Sequence, residues 1–271
     1  MAKNEFDKDI NYRLYRSVKE LLHPTISKKN ISEYKIIIKE DLLPVYVYYP
    51  KKISNINTVF IYIHGDSKIT DCENKYPSIC SKLAIKTDSI IMAIDYNLKK
   101  DYEKTYSEIY KTVKHIYNEL NDTDENISIV LAGDSTGCNI INGINYLNSN
   151  EISIPIEILF YPVLSTKKVS VPSEHEMFNP RLLLDIEEYF KKLSKENQQH
   201  SEMLNYTGDI PKTLIIVGNV DPLNSTIKEY SNKHSNVELV EIVFASHGFL
   251  KNPDKETEND VYNAINKFLN K

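Results

Sequence analysis

Gly133-Asp134-Ser135-Thr136-Gly137 constrains this chain more than any other stretch. It lies between an apolar run with strand character, Ile127-Ser128-Ile129-Val130-Leu131-Ala132, and a helix-like run from Asn139 to Leu147. Strand, sharp turn and helix in that order set a serine at the apex, with a glycine two residues to either side. A serine held on a strained turn presents its hydroxyl above the sheet edge. Its neighbours two positions away must be small for strand and helix to approach each other. Chance matches to this pattern belong to glycine-rich chains, whereas this one has seven glycines in all, and two of them bracket Ser135. The expectation is a nucleophilic serine on an elbow between strand and helix.

The rest of the sequence alternates in the same manner. Thr58–Ile63 is an apolar strand ending in His64-Gly65-Asp66-Ser67, and a helix follows near Tyr76–Lys86. Ser89–Ile94 is a second buried strand, ending in Asp95-Tyr96-Asn97-Leu98, and Tyr102–Leu120 a longer helix. Beyond the elbow come strands at Ile154–Tyr161, Leu214–Val217 and Val237–Phe244, with helices at Ser225–His234 and Glu256–Leu269. Strands that are apolar throughout, alternating with helices, predict a mostly parallel central sheet covered by helices on both faces, the α/β class. Tyr34–Lys39 and Val45–Tyr49 alternate with period two and predict an antiparallel pair at one edge.

Two segments depart from that alternation. Residues 1–30 hold a helical pattern of Phe6, Ile10, Leu14, Val18, Leu21 and Leu22 ended by Pro24, either packed on the domain or contributing to a roof over the site. The polar, helix-forming stretch 165–211, containing Arg181–Gln199, suits a cap insertion or a surface helix. Both fall within a single domain of 271 residues, long enough to bury a sizeable core.

Composition narrows the function. A net charge of −5 with dispersed Lys and Arg offers nothing to nucleic acid. No run of 18 apolar residues exists to span a membrane, and the charged start at Met1–Glu5 predicts no secretory signal. Three cysteines, Cys72, Cys80 and Cys138, lack C-x-x-C spacing and predict reduced thiols in a cytoplasmic protein, with no zinc site.

A serine hydroxyl needs a base within hydrogen-bond reach and a third group to orient that base. In parallel sheets such groups lie at the carboxyl ends of strands. Among seven histidines, His247 follows the last strand in Phe244-Ala245-Ser246-His247-Gly248-Phe249, just before the closing helix. His23, His115, His175, His200 and His234 fall in helical, loop or cap stretches, and His64 ends an earlier strand. Asp221 follows strand Leu214–Val217 and gives the chain order Ser135, Asp221, His247; an N-cap for the next helix is its other reading, and both can hold. Asp209 is the fallback acid, weaker because it precedes its strand. The oxyanion hole is expected to combine the Thr136 amide with amides of Gly65 and Asp66.

These residues together resemble the hormone-sensitive-lipase-like branch of the α/β-hydrolase esterases. Gly133-Asp134-Ser135-Thr136-Gly137-Cys138-Asn139 is similar to that branch's G-D-S-A-G-G-N, and Asp95-Tyr96-Asn97-Leu98 to its D-Y-R-L. Tyr161-Pro162, Asp221-Pro222-Leu223 and His247-Gly248-Phe249 match its Y-P, D-P-L and H-G-F in the right order. The resemblance implies the α/β-hydrolase fold with a helical cap, and hydrolysis of small carboxylic esters, often with short acyl chains, without metal or organic cofactor. A peptidase or amidase on the same scaffold, or a hydrolase-like protein that binds a ligand without turnover, are the rivals.

One departure bears on chemistry. The branch's H-G-G-G becomes His64-Gly65-Asp66-Ser67. An Asp66 carboxylate facing the pocket would oppose an oxyanion; facing outward it would be harmless or contact a polar part of a substrate. With His247 as base, the hydrolysis rate is expected to depend on pH, since only a neutral imidazole can take the serine proton. A rate flat from about pH 5 to 8 in a buffer series would contradict that assignment.

Overall fold

The computed structural model describes residues 26–28, 31–36, 42–50, 58–65, 76–97, 102–123, 127–147, 151–165, 191, 203 and 209–270. The strands among them are β1 (Ile26–Lys28), β2 (Ile31–Ile36), β3 (Val45–Pro50), β4 (Thr58–Ile63), β5 (Ile90–Ile94), β6 (Ser128–Asp134), β7 (Ile156–Phe160), β8 (Lys212–Gly218) and β9 (Val237–Ile242). The helices are α1 (Tyr76–Thr87), α2 (Tyr102–Thr123), α3 (Thr136–Leu147), α4 (Asn224–Lys233) and α5 (Lys255–Leu269), with a 3₁₀ turn at Phe249–Lys251.

All nine strands form one sheet in the order β1-β2-β3-β5-β4-β6-β7-β8-β9. From β5 to β9 neighbouring strands are parallel, while β1, β2 and β3 run antiparallel at one margin. The central parallel strands β4 and β6 are apolar because both their faces are covered: Val59 to Ile63 and Ile129 to Ala132 are all at most 2% exposed.

Topology decides where a site can form. The connection from β4 through α1 leads to β5 on one side, whereas β5 through α2 leads back across to β6, and α3 and α4 continue that way. Right-handed crossovers therefore put α1 on one face and α2, α3 and α4 on the other. Lys82 on α1 meets Glu258 of α5 at 2.7 Å, so α5 shares the α1 face. Tyr106 of α2 donates to the Ile140 carbonyl of α3 at 3.2 Å across the opposite layer. The direction of winding reverses between β4 and β6, which leaves a crevice at their carboxyl ends, the place where open parallel sheets gather ligands. His64-Gly65 and Ser135 stand there.

The antiparallel edge pair was expected at Tyr34–Lys39 with Val45–Tyr49. The observed partner of β3 is Ile31–Ile36, paired from Ile31 with Pro50 to Ile36 with Val45. Tyr34 to Ile36 of the expected strand lie within β2, and residues 37–39 lie outside the described residues. β1 was not expected: residues 1–30 were read as a helical region, but Ile26–Lys28 is a strand paired with β2. Three residues carry too little pattern to announce a strand. The helix expected over 5–22 and nearly all of the expected cap at 165–211 lie outside the described residues. Within the latter, Met203 is buried and its amide bonds the Leu164 carbonyl at 3.0 Å.

Glu157 of β7 is a carboxyl buried away from the crevice, 3% exposed. Asn145 Nδ2 donates to its Oε1 at 2.6 Å, and Thr213 Oγ1 lies 3.4 Å from its Oε2. The Thr213 hydroxyl has a closer acceptor in the Pro211 carbonyl at 2.9 Å. The longer contact to Glu157 is therefore the weaker of the two bonds the Thr213 hydroxyl can make. Burial pushes this carboxyl from 4.5 up to about 7, with the two side-chain hydrogen bonds pulling the other way. Between those values the folded chain holds a proton that the unfolded chain has lost, so stability falls as pH rises through that window and stays reduced above it. The loss is on the order of 3 kcal/mol at most. Glu157→Gln is expected to raise the urea midpoint at pH 8 while changing it little at pH 5. Equal shifts at both pH values would remove Glu157 as the source.

Candidate active site

Ser135 occupies the turn between β6 and α3 with φ 53°, the left-handed region that non-glycine residues rarely adopt. Its amide donates to the Phe160 carbonyl at 3.0 Å, and its own carbonyl accepts from the amides of Cys138 and Val163, each at 3.2 Å. These bonds over-determine the strained conformation, the condition for such a residue to persist. The flanking glycines allow the close approach: a Cβ on Gly137 would lie 2.1 Å from the Ile63 carbonyl oxygen, and one on Gly133 2.5 Å from the same atom. The spacing expected from the sequence is thus set by the end of β4 pressing on both sides of the elbow.

The imidazole of His247 reaches this turn from the far side. Its Nε2 is 3.0 Å from Ser135 Oγ, and its Nδ1 is 2.9 Å from Asp221 Oδ2. The Asp221 side chain is fully buried and that of His247 nearly so, at 0% and 12% exposure. A proton on Nδ1 shared with the carboxylate leaves Nε2 as an acceptor for the serine hydroxyl. The second oxygen of Asp221 accepts from the Leu223 amide at 2.8 Å. That resolves the alternative role of Asp221. The N-cap of α4 is Leu223, without a side-chain capping bond, so the aspartate closes a turn ahead of the helix and does not cap it.

The loops that carry Asp221 and His247 are stapled together. The Asn219 amide donates to Ile242 at 2.9 Å, the Val220 amide to Ala245 at 3.3 Å, and Asn219 Oδ1 accepts from the Phe244 amide at 2.7 Å. Phe244 has φ 58°, and this side-chain acceptor holds the bent backbone three residues before the imidazole. Tyr161, fully buried, sets its ring edge-on to His247 with centroids 4.9 Å apart and meets Phe249 at 5.0 Å. Neither Asn219 nor Tyr161 was singled out as a site residue from sequence. Tyr161 was visible only as half of a Tyr-Pro motif.

The structure thus brings Ser135, Asp221 and His247 together, with Thr136 buried at the first position of α3. Gly65 requires a correction: its amide, expected in the oxyanion hole, donates to Asp134 Oδ1 at 3.0 Å. Asp66 lies outside the described residues. Asp209 is exposed before β8, at the end of the sheet away from the crevice. His64 stacks between Tyr76 and Tyr96 at 4.6 and 4.3 Å, and the Tyr96 hydroxyl donates to its carbonyl. His115 and His234 sit on or beside helices, next to Glu119 and Tyr230; His23, His175 and His200 are not described. Cys138, in place of the glycine, is buried, donates to the Gly133 carbonyl at 3.0 Å, and has its thiol pushed well up by burial and by the Asp134 charge. Among the described residues, no group of three or more His, Cys, Asp or Glu is placed to hold a metal ion.

The family model for the alpha/beta hydrolase fold matches residues 60–251. The chain belongs to the α/β-hydrolase fold family. Within it, the chain is 24% identical over 277 residues to a vegetative-specific protein of Dictyostelium discoideum, covering 89% of this chain and 80% of that one. It is 21% identical over 245 residues to a gibberellin receptor of Arabidopsis thaliana, covering 81% of this chain and 68% of the receptor. Among solved structures, carboxyl esterase 2 of the fungus Tuber melanosporum superposes with a TM-score of 0.73 at 14% identity, covering 91% of this chain and 89% of the esterase. The fold expected from the motifs, a mostly parallel α/β-hydrolase sheet, is the one observed.

The elbow of this α/β-hydrolase is sensitive to one methyl group. Gly137→Ala sets a Cβ against backbone oxygen, and overpacking of this kind costs about 1–3 kcal/mol or more. The expected result is a thermal midpoint lowered by roughly 5 °C or more, read by circular dichroism. An unchanged midpoint would mean that β4 and α3 separate without cost.

Proposed function

We propose that this chain is a serine hydrolase acting on small carboxylic esters, with Ser135 as nucleophile, His247 as general base and Asp221 as the group that orients and charge-stabilises the imidazole. The observation that carries this reading is the continuous chain from Ser135 Oγ to His247 Nε2 at 3.0 Å and from His247 Nδ1 to Asp221 Oδ2 at 2.9 Å.

The chemistry follows from that chain. His247 takes the Ser135 proton as Oγ attacks the ester carbonyl, and the carbonyl oxygen becomes an oxyanion. Donors for it come from the Thr136 amide, in the first turn of α3 where helix amides point outward, and from the segment beginning at Asp66. The tetrahedral species collapses as the C–O bond breaks, and the imidazolium proton leaves with the alcohol. Water, deprotonated by His247, then attacks the acyl-enzyme and releases the acid and the free serine. Each amide in such a hole is worth about 3–4 kcal/mol where removal has been tested in other enzymes.

Short acyl chains are the proposed preference, on the resemblance of the motifs, and the 165–211 segment is proposed as the cap that limits them. Cys80 and Cys138 are buried free thiols, in keeping with a reducing, cytoplasmic location. A second reading, ligand binding without turnover, draws on the likeness to the gibberellin receptor. The complete hydrogen-bonded Ser–His–Asp chain favours turnover over it.

A fluorophosphonate probe is expected to label the wild-type chain and not Ser135→Ala, and nitrophenyl acetate or butyrate to be hydrolysed well ahead of the matching anilides. Equal labelling of both forms would remove Ser135 as nucleophile. Faster anilide cleavage would favour the amidase, and binding without release of nitrophenol the receptor-like reading.

A further inference from the structure

Asp134, the residue immediately before the nucleophile, has no part in the mechanism above, yet it is a carboxylate only 4% exposed. Its Oδ1 accepts two hydrogen bonds, from the Tyr62 hydroxyl at 2.8 Å and from the Gly65 amide at 3.0 Å. The sheet register explains how they meet. Tyr62 on β4 pairs with Ala132 on β6, and Asp134 lies two residues farther along the same strand, so both side chains project from one face. Tyr62 is fully buried, and its hydroxyl is pushed well above its ordinary pKa, first by burial and then by the Asp134 charge. Gly65 is fitted to this contact: a Cβ there would lie 3.0 Å from Asp134 Oδ2, 3.0 Å from the Asp134 carbonyl and 3.1 Å from Ser135 Cβ.

An amide hydrogen bond fixes a peptide plane, because the plane is rigid and only φ and ψ on either side are free. Holding the plane at Gly65 therefore anchors the chain at the residue just before Asp66, the start of the segment proposed to carry oxyanion donors. Preorganised donors stabilise developing charge only when their direction is fixed before reaction.

We propose that Asp134 is a positioning residue that clamps the loop after β4 to the nucleophile elbow, through Tyr62 and Gly65, and so keeps the oxyanion-hole donors in register with Ser135. This rests on the serine-hydrolase reading. It makes the Gly65 amide a structural tie and Asp134 the acceptor that such a loop requires. Asparagine can replace that acceptor, because an amide oxygen takes the same two bonds; alanine cannot.

The test uses the full-length chain, nitrophenyl acetate as substrate, and selective nitrogen-15 glycine labelling, which gives a readable spectrum in a chain of seven glycines. Asp134→Ala is expected to lower kcat by roughly ten- to a hundredfold with KM within about threefold. The Gly65 amide resonance should lose its downfield shift and its protection from exchange. Asp134→Asn should recover both to within about fivefold, and Tyr62→Phe should fall between the two. If Asp134→Ala does not fold, the comparison of Asp134→Asn and Tyr62→Phe with wild type decides. A Gly65 resonance indifferent to Asp134→Ala or Tyr62→Phe overturns the proposal, as does a kcat that survives loss of the Gly65 bond. An asparagine variant as impaired as alanine overturns it too, since charge and not the acceptor would then be acting. A wild type that neither turns over the ester nor reacts with fluorophosphonate sinks the hydrolase reading separately, and the Gly65 signal alone then decides whether Asp134 holds the loop.

Discussion

The end of β4 pressing against the elbow is the contact on which the remaining geometry hangs. The Ile63 carbonyl sits so close to Gly133 and Gly137 that neither could carry a side chain. This brings the β6–α3 turn within reach of the loop after β4, at the point where the sheet reverses its winding. Ser135 could not be held at positive φ by local preference alone, because an L-residue gains nothing there. Phe160, Val163 and Cys138 supply the bonds that keep it, and two of the three belong to the next strand and the loop after it.

Three carboxyls are buried among the described residues, and each is accommodated differently. Asp221 meets an imidazole and a backbone amide, so each of its two oxygens accepts a hydrogen bond. Asp134 meets a phenol and a glycine amide, neutral donors that satisfy it without a counter-charge. Glu157 has an amide and a hydroxyl, too little to hold a full charge, and burial shifts it toward the neutral acid. A buried ion without sufficient partners changes its protonation before it unfolds the chain. The two aspartates flank the proposed chemistry and the glutamate lies outside it. The stronger donor sets are found where the reaction requires a fixed geometry.

Much of this was legible in the chain. The central parallel strands were found because burial on both faces leaves an unmistakable apolar run, and the elbow because glycine is rare here. Ser135, Asp221 and His247 could be singled out together since parallel topology brings every strand's carboxyl end to one rim. The margins were harder. β1 has three residues and no period to read, and β2 begins at Ile31, three residues before the expected strand. Gly65 was assigned to the oxyanion hole on its place in a motif, whereas the direction of its amide depends on a carboxylate 69 positions away in sequence.

By itself the sequence determined the order of elements and the class of sheet, and it singled out the proposed nucleophile and the residues proposed to serve it, because these follow from local pattern and from chain order. Only the tertiary structure decided which donors face which acceptors: that Asp221 closes a turn and not a helix, that Asn219 ties the loop of His247 to that of Asp221, and that Asp134 holds Gly65. Hydrogen bonds are fixed to within tenths of an ångström and tens of degrees. Pattern along a chain carries periodicity but no such directions, which arise when distant segments pack.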